Sequence, residues 1–353
     1  MTTEPTNSNL PSRKFLWVIL PPLTLVGLIL MAGGWLFWWP NRFEGAEKVF
    51  VVSRGAAFEA VVDSLVAAGV VSNRTSFEHA GRLLGITRTI KVGKYHFKSG
   101  MSNLAILHDL RDGLSNYPIA VRVDEGARLL RVGSKFSREL GIDSTEFVSL
   151  SRNNDFIKSL GVDAPTLEGY LLPDTYNFYW QTREVDVLRA LVESFQEFYA
   201  DSLRTRQEQL GMTQYEVITL ASIVEGETSV DVERATIAGV YQNRLRRRMM
   251  LQADPTIQYV IPDGPRRLMY SDLKVDSPYN TYRYSGLPPG PVNNPGRKSI
   301  LAVLYPERHQ YLYFVADGTG GHRFSKTYSE HQRAVRNWRK LRQEQQTKAN
   351  ASG

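Results

Sequence analysis

From Phe15 to Trp39 the chain reads FLWVILPPLTLVGLILMAGGWLFWW, with no charged residue. A helix needs ~20 apolar residues to cross a bilayer, and this run exceeds that. No other stretch restricts the fold as much, because backbone in lipid must satisfy its own hydrogen bonds and so must be helical. Residues 15–39 are therefore read as a transmembrane helix. A cleaved signal peptide is the rival reading, but its apolar region is about 7 to 15 residues long. This run is longer and ends in Trp35, Trp38 and Trp39, an aromatic belt rather than a cleavage site. Arg13 and Lys14 stand just before the span, whereas Arg42 and Lys48 after it are mixed with Glu44 and Glu47. The positive end stays inside. Residues 1–14 are expected to be a disordered cytoplasmic tail and everything after the span to be exported. In a cell with two membranes this describes a single-pass inner-membrane protein with periplasmic C-terminal domains.

Composition removes several classes of chemistry. The 353 residues suffice for two domains with a sizeable core, and none is cysteine. Disulfides, thiolate metal sites and a cysteine nucleophile are thereby excluded. The histidines, His79, His96, His108, His309, His322 and His331, show no metal-ligand spacing, and no metal is expected. Neither a GxSxG elbow nor a Gly-rich phosphate loop or dinucleotide fingerprint occurs, so no cofactor is expected. An excess of 43 basic over 36 acidic residues gives a net charge of +7, which suits a polyanion, an anionic membrane surface or an acidic wall. Nucleic acid is not expected, because the densest basic run, Arg244 with Arg246, Arg247 and Arg248, has no interleaved aromatic residues.

Beyond the span the pattern is α+β. Val49–Val52 reads as a strand, a helix runs to Ala68 and stops at Gly69, and a second helix covers Thr75–Leu84. Lys91–Lys98 is a strand and Ser102–Arg111 a helix. Residues 45–117 thus resemble a LysM-like βααβ module, a small fold often used to hold glycan. A plain spacer above the membrane is an equal reading. Val121–Phe147 then repeats the plan of strand, glycine turn, helix and glycine stop, with a Thr or Ser cap ahead of Phe147, and opens a larger α+β domain over 118–343. One helix is expected over Val185–Gln209 and another over Tyr328–Gln346, followed by a disordered tail, 344–353.

The run from Thr213 to Tyr259 places acidic residues beside an apolar helix face. Thr213 and Glu216 form a capping box, followed by Val217, Ile218, Leu220, Ala221, Ile223 and Val224 at helical spacing. At 100° per residue Glu225 lies about 20° from Ile218 and about 40° from Ala221, on the edge of that stripe. A carboxyl group desolvated there retains its proton more readily, as a general acid must. Alternatively Glu225 caps the helix, pairs with Arg234 or Arg244, or frays into solvent.

Several blocks share one resemblance. ASIVEGET, Glu233 with Arg234, Asn243–Leu245, Leu251–Tyr259, Tyr279–Tyr282, Gly286–Gly296 and Tyr313–His331 follow one another in an order and spacing similar to the YceG-like family of endolytic murein transglycosylases. LEGYLLPDTY at 167–176 resembles a further block, and the likeness covers roughly residues 12–343. It implies a membrane-anchored enzyme that cuts the MurNAc–GlcNAc bond of nascent peptidoglycan, leaves 1,6-anhydro-MurNAc ends and limits strand length. Association with peptidoglycan synthases at the membrane is implied as well. Glu225, the first Glu of the VExET motif, would be the single acid and base. Lysine is frequent in the family where this chain has Gly226, whose side chain is expected to point away.

Glu227, Asn243, Gln252, Asp254, Thr256, Tyr259, Tyr282, Asn294 and His322 are the candidate substrate contacts. Three have a structural alternative: Glu227 as the orienter of a neighbour, Asn294 with Asn293 as a turn, and a lone His322 on a strand as a satisfied structural residue. Thr166–Tyr179 sets Glu168, Asp174 and Asn177 among aromatic residues, as a sugar cleft does or as a turn closing the core does. Gly286–Gly296 holds four prolines, three glycines and two asparagines in eleven residues, too rigid for a linker and too broken for a strand. It is expected to be a fixed wall. A second catalytic carboxylate (Glu227, Glu233 or Asp254) would make the protein an ordinary hydrolase. A wall-binding scaffold without catalysis is the third reading.

Overall fold

The computed structural model describes residues 13–262 and 264–351. Residues 1–12 of the expected tail lie outside the described residues, and α1 (Arg13–Trp38) opens on the basic pair. Its Pro21–Trp38 segment has a mean hydropathy of 1.5 and is long and apolar enough to cross a membrane. The chain divides into two compact units, Met1–Ile119 with Tyr179–Gln181, and Ala120–Phe178 with Thr182–Gly353.

After α1 the first unit comprises β1 (Pro40–Asn41), β2 (Glu47–Val52), α2 (Phe58–Ala67), α3 (Arg74–Leu83), β3 (Gly93–Lys98), β4 (Met101–Ser102) and α4 (Asn103–Asp112). β2 and β3 pair antiparallel with Phe50 opposite Tyr95. Phe50 and Val52 face the core while Val49 and Val51 face solvent, the period of two that a one-sided strand requires. Val62, Leu65, Phe77, Phe97, Ile106 and Leu107 fill that core. Gly81 lets α3 approach closely, since a Cβ there would meet the Phe58 ring and come within 3.2 Å of Leu107. The strand, helix, helix, strand order of the sequence reading is present. The last turn of α1 belongs to this unit: Leu36 and Phe37 pack on its core, and Asn103, fully buried, donates to the Leu36 carbonyl at 2.9 Å and accepts from Asn41 at 2.9 Å.

The second unit takes in all but the first residue of β5 (Ile119–Arg122) and runs through α5 (Leu129–Leu140), α6 (Ser144–Leu150), α7 (Asn154–Ser159), β6 (Thr175–Phe178), α8 (Glu184–Phe198) and α9 (Asp201–Leu210). It continues with α10 (Gln214–Glu227), α11 (Arg234–Arg246), α12 (Asp254–Val260), α13 (Arg297–Leu304), β7 (Tyr313–Ala316), β8 (His322–Ser325) and α14 (Tyr328–Ala351). β5 pairs with β6 and β7 with β8, so the sheets are two-stranded and the unit is mainly helical. The internal repeat holds in its helix stops, Gly69 and Gly141 having φ of 65° and 66°. Its expected Thr or Ser caps do not hold: Asn73 and Asp143, just upstream, accept the helix N–H bonds.

Three boundaries differ from expectation. The helix over Val185–Gln209 is broken, because buried Tyr199 leaves helical geometry to stack on Phe195 and to donate its hydroxyl to Gln207 at 3.0 Å. Neither Ser229 nor Asp231 caps α11; a 3-10 turn, Asp231–Glu233, leads into it and Asp231 pairs with Arg234 instead. α14 continues as helix to Ala351, where a disordered tail from residue 344 was expected; its charged residues are good helix formers.

At the centre lies α10. Its capping box is present, with Glu216 N donating to the Thr213 hydroxyl and Glu216 accepting from Thr213 N at 2.8 Å. Val217 to Val224 are all buried, so the helix is sheathed on every side rather than along a stripe. α11, α12 and α13 pack around it.

Candidate active site

α10 delivers Glu225 in its last turn, and the loop 290–296 is buried against the same helix. Val292 N donates to the Ser222 hydroxyl at 2.9 Å and the Asn293 amide to the Ser222 carbonyl at 2.8 Å. The expected wall is therefore fixed to α10 at its polar positions. It ends by presenting Gly296 N, at the N-terminus of α13, to Glu225 Oε2 at 2.9 Å. One turn on, the Ser299 hydroxyl donates to the same oxygen at 2.8 Å. Free N–H groups and the positive end of the helix dipole favour an anion there.

The other oxygen, Oε1, meets Arg234 Nη1 at 3.1 Å, with 7% of the Glu225 side chain and 5% of the Arg234 side chain exposed. Arg234 also donates to Ser299 at 2.6 Å and reaches Asp231 at 3.2 Å, while Lys298 pairs with Asp231. Glu225 is thus sheltered from water as expected, but its neighbours are ionic rather than apolar. Of the alternatives, pairing with Arg234 is observed. Arg244 is spent elsewhere, on the Leu312 and Leu251 carbonyls at 2.6 Å each.

Around this pair the nominated residues fall into two groups. Asp254 and Tyr282 are linked by the tyrosine hydroxyl at 2.6 Å, and Gln252, at φ 50°, is exposed on the same strip. Glu227 accepts from Tyr241 at 2.6 Å; burial, with the nearby Asp254 charge added, pushes its carboxyl up to about 7. Tyr259 packs against Tyr279 at a tilt of 39° with centroids 4.8 Å apart, under the Arg128 guanidinium, and burial pushes its phenol up to about 12.

The remainder are engaged within the fold. Asn294 is fully buried: its oxygen accepts from Gly169 N at 2.8 Å and Leu171 N at 3.1 Å, and its amide donates to Ala127 O at 2.8 Å and Glu168 at 3.3 Å. Nothing remains for a sugar. Thr256 is buried against Thr281 at 2.9 Å. Asn243 donates to the His309 and Tyr311 carbonyls at 3.0 Å each, holding the chain that leads to β7. His322 is clamped by Glu233, which accepts from its backbone N at 2.8 Å and its ring at 2.7 Å. Of the 166–179 block, Glu168 is buried beneath Leu129 N at 2.9 Å, and desolvation raises its carboxyl to about 7, so this part closes the core. Gly226 does not point away: a Cβ there would lie 2.7 Å from Pro255, so α10 and α12 meet at this position.

Sequence reasoning overlooked Ser299 and the Gly296 amide as partners of Glu225. Their signal was the break of the proline-rich wall into a helix at Gly296, which leaves N–H groups unpaired. A concavity of about 590 Å³ lies along the first turns of α10 and includes neither Glu225 nor any nominated residue. The hydrogen-bond geometry, not cavity size, identifies the site.

Comparison with known proteins decides the lineage, because the model of the YceG-like family matches residues 50–337. The chain belongs to the YceG-like family. A relative from Bacillus subtilis (strain 168), an endolytic murein transglycosylase, is 30% identical over 326 residues, covering 86% of this chain and 90% of that protein. Another endolytic murein transglycosylase, from Streptococcus pneumoniae (strain R6), is 27% identical over 318 residues; the match covers 80% of this chain but only 57% of the longer relative. The crystal structure of a YceG-like protein from Listeria monocytogenes superposes with a TM-score of 0.59 at 29% identity, covering 82% of this chain and 98% of that one.

Proposed function

We propose that this member of the family is a membrane-anchored endolytic transglycosylase of peptidoglycan, with Glu225 as its one acid and base. Glu225 gives its proton to the oxygen leaving the MurNAc–GlcNAc bond. The C6 hydroxyl of the same muramic ring attacks C1, and the Glu225 carboxylate takes that hydroxyl's proton, closing a 1,6-anhydro ring and restoring the acid. An attacking group tethered in this way can have an effective molarity on the order of 10⁵ M, so no second carboxylate is required. Between the two proton transfers, Arg234, Ser299 and Gly296 N supply fixed donors to the carboxylate. That enclosed set of donors on the motif glutamate is the observation that carries the reading.

Asp254, Tyr282 and Gln252 are proposed to contact the sugar, being polar and at the surface beside the turn that bears Glu225. α1 is proposed to hold the chain in the inner membrane with its N-terminus in the cytoplasm and the rest of the chain in the periplasm, where synthases release new strands. The first unit is read as LysM-like and glycan-holding on its βααβ order; a spacer has the same order.

One observation favours a two-carboxylate hydrolase instead: Glu227, two positions on, has a carboxyl raised to about 7. Mass spectrometry of digested sacculi separates the readings. The transglycosylase yields anhydro ends, lighter by one water than the reducing ends of hydrolysis; reducing ends alone would replace the first mechanism with the second.

A further inference from the structure

The second unit carries a groove that the Glu225 chemistry does not use. One lobe, about 590 Å³, lies between the α9–α10 turn, the start of α10, α11 and the Leu287–Pro289 strip, and is lined by Met212, Tyr215, Thr219, Leu245, Leu287 and Pro288. A second lobe, about 440 Å³, shares Leu210, Gln242 and Arg246 with the first and continues to Arg206, Arg308 and His309. The two lobes are therefore neighbours, the first mainly apolar with Glu216 in its lining and the second bearing Arg206, Arg246 and Arg308 with Glu307.

The groove's three arginines have no ion-pair partner among the described residues and outnumber the two carboxylates of the lining, Glu216 and Glu307. Arg206 bonds only the Leu304 carbonyl and Gln209, and Arg246 bonds Asn243, all neutral acceptors. Arg308 is exposed, and among the described residues none of the three arginines pairs with a carboxylate. Of the carboxylates at the rim, Glu216 is engaged by Thr213 and Glu307 by the Thr236 hydroxyl. In the apolar lobe Thr219, 1% exposed, has a hydroxyl without a hydrogen-bond partner. Native interiors seldom leave such a group unpaired.

We propose that this groove binds the short acidic peptide that murein glycan carries on its muramic acid residues, with apolar side chains beside Tyr215 and Leu287 and a carboxylate on Arg246 and Arg308. It rests on the peptidoglycan reading above. An uncharged glycan has nothing to set against three unpaired guanidiniums, whereas a peptide carboxylate takes charge-assisted bonds from them. Thr219 and Glu225 share α10, about 9 Å apart along its axis and about 120° apart around it, a separation that an extended pentapeptide of about 17 Å can span.

The test uses the full chain in detergent and the N-acetylated pentapeptide L-Ala-γ-D-Glu-L-Lys-D-Ala-D-Ala, titrated by calorimetry. The peptide should bind saturably. Its C-terminal amide, and the R308Q variant with an unchanged melting temperature, should each bind about tenfold more weakly, the worth of one hydrogen bond to a charged group. E225Q should bind as the parent does. Absence of saturable binding at millimolar peptide, equal binding of the amide, or displacement of the peptide by an uncharged chitooligosaccharide overturns the proposal. Failed peptide binding with sacculus digestion intact would remove the groove alone; failed digestion with peptide binding intact would remove the enzyme reading alone.

Discussion

Glu225 and Arg234 form an ion pair of 3.1 Å with both side chains almost wholly withdrawn from water. The glutamate comes from the end of α10 and the arginine from the start of α11, so the pair sets the geometry of the connection between these helices. Both partners have further bonds, Glu225 to Gly296 N and Ser299, and Arg234 to Ser299 and Asp231. A pair held this way has one geometry. That suits a group whose proton must reach a sugar oxygen along a defined line.

Breaking the pair from the arginine side leaves a buried carboxylate without its cation. Arg234→Met is expected to cost about 3–5 kcal/mol of stability, whereas the double variant Glu225→Leu/Arg234→Met should recover most of it, since apolar replacement of a whole buried pair is often neutral. Neither should cleave glycan. Thermal unfolding checks the first statement and sacculus digestion the second; a double variant no more stable than the single one would show that the pair is not an independent unit.

Glu168 makes the fold sensitive to pH. Its carboxyl is raised from 4.5 to about 7 by desolvation, so the folded protein binds the proton more tightly than the unfolded chain does. The stabilisation is complete below about pH 4.5 and disappears as pH rises through about 7, a change on the order of 3 kcal/mol. Glu168→Gln retains an acceptor for Leu129 N and should flatten that part of the stability curve. Urea unfolding at pH 5 and pH 8 reads the difference, and parallel curves for parent and variant would contradict it.

Asn294→Ala separates a structural role from a sugar contact. It strips the acceptor from Gly169 N and Leu171 N in a buried place, at about 1–3 kcal/mol for each group left unsatisfied, while Ala127 O keeps the backbone N of residue 294. The melting temperature should fall by several degrees while KM of the surviving folded protein stays unchanged. A raised KM with unaltered stability would return Asn294 to the list of substrate contacts.

Asp254→Asn should behave in the opposite way. Asp254 is exposed at the first turn of α12, and its side chain accepts from the Tyr282 hydroxyl. The substitution should leave the fold intact and raise KM about two- to tenfold, the range for one lost hydrogen bond. Steady-state assays on soluble glycan strands decide it.

The helical centre was readable from the chain because capping and apolar spacing are local signals: Thr213, Glu216 and the run to Val224 place α10 without knowledge of its neighbours. What covers that helix was not readable. Ser299 lies 74 positions from Glu225, and nothing in its immediate surroundings marks it as a donor to that carboxylate. Asn294 shows the converse, since a polar residue in a Pro- and Gly-rich loop suits a surface turn until the loop is seen to be buried against α10 and the 167–171 segment. Tyr199 could not be foreseen as a helix break, because its reason is a stack on Phe195 and not a propensity.

The central claim is the chemistry of one carboxyl group, and the most direct measurement is the rate at which purified full-length protein and its Glu225→Gln variant release fragments from sacculi under identical conditions. The account predicts a loss of at least about 10²-fold, the usual contribution of a general acid, with the melting temperature showing a folded variant. Retention of cleavage within a few-fold by that folded variant would contradict it.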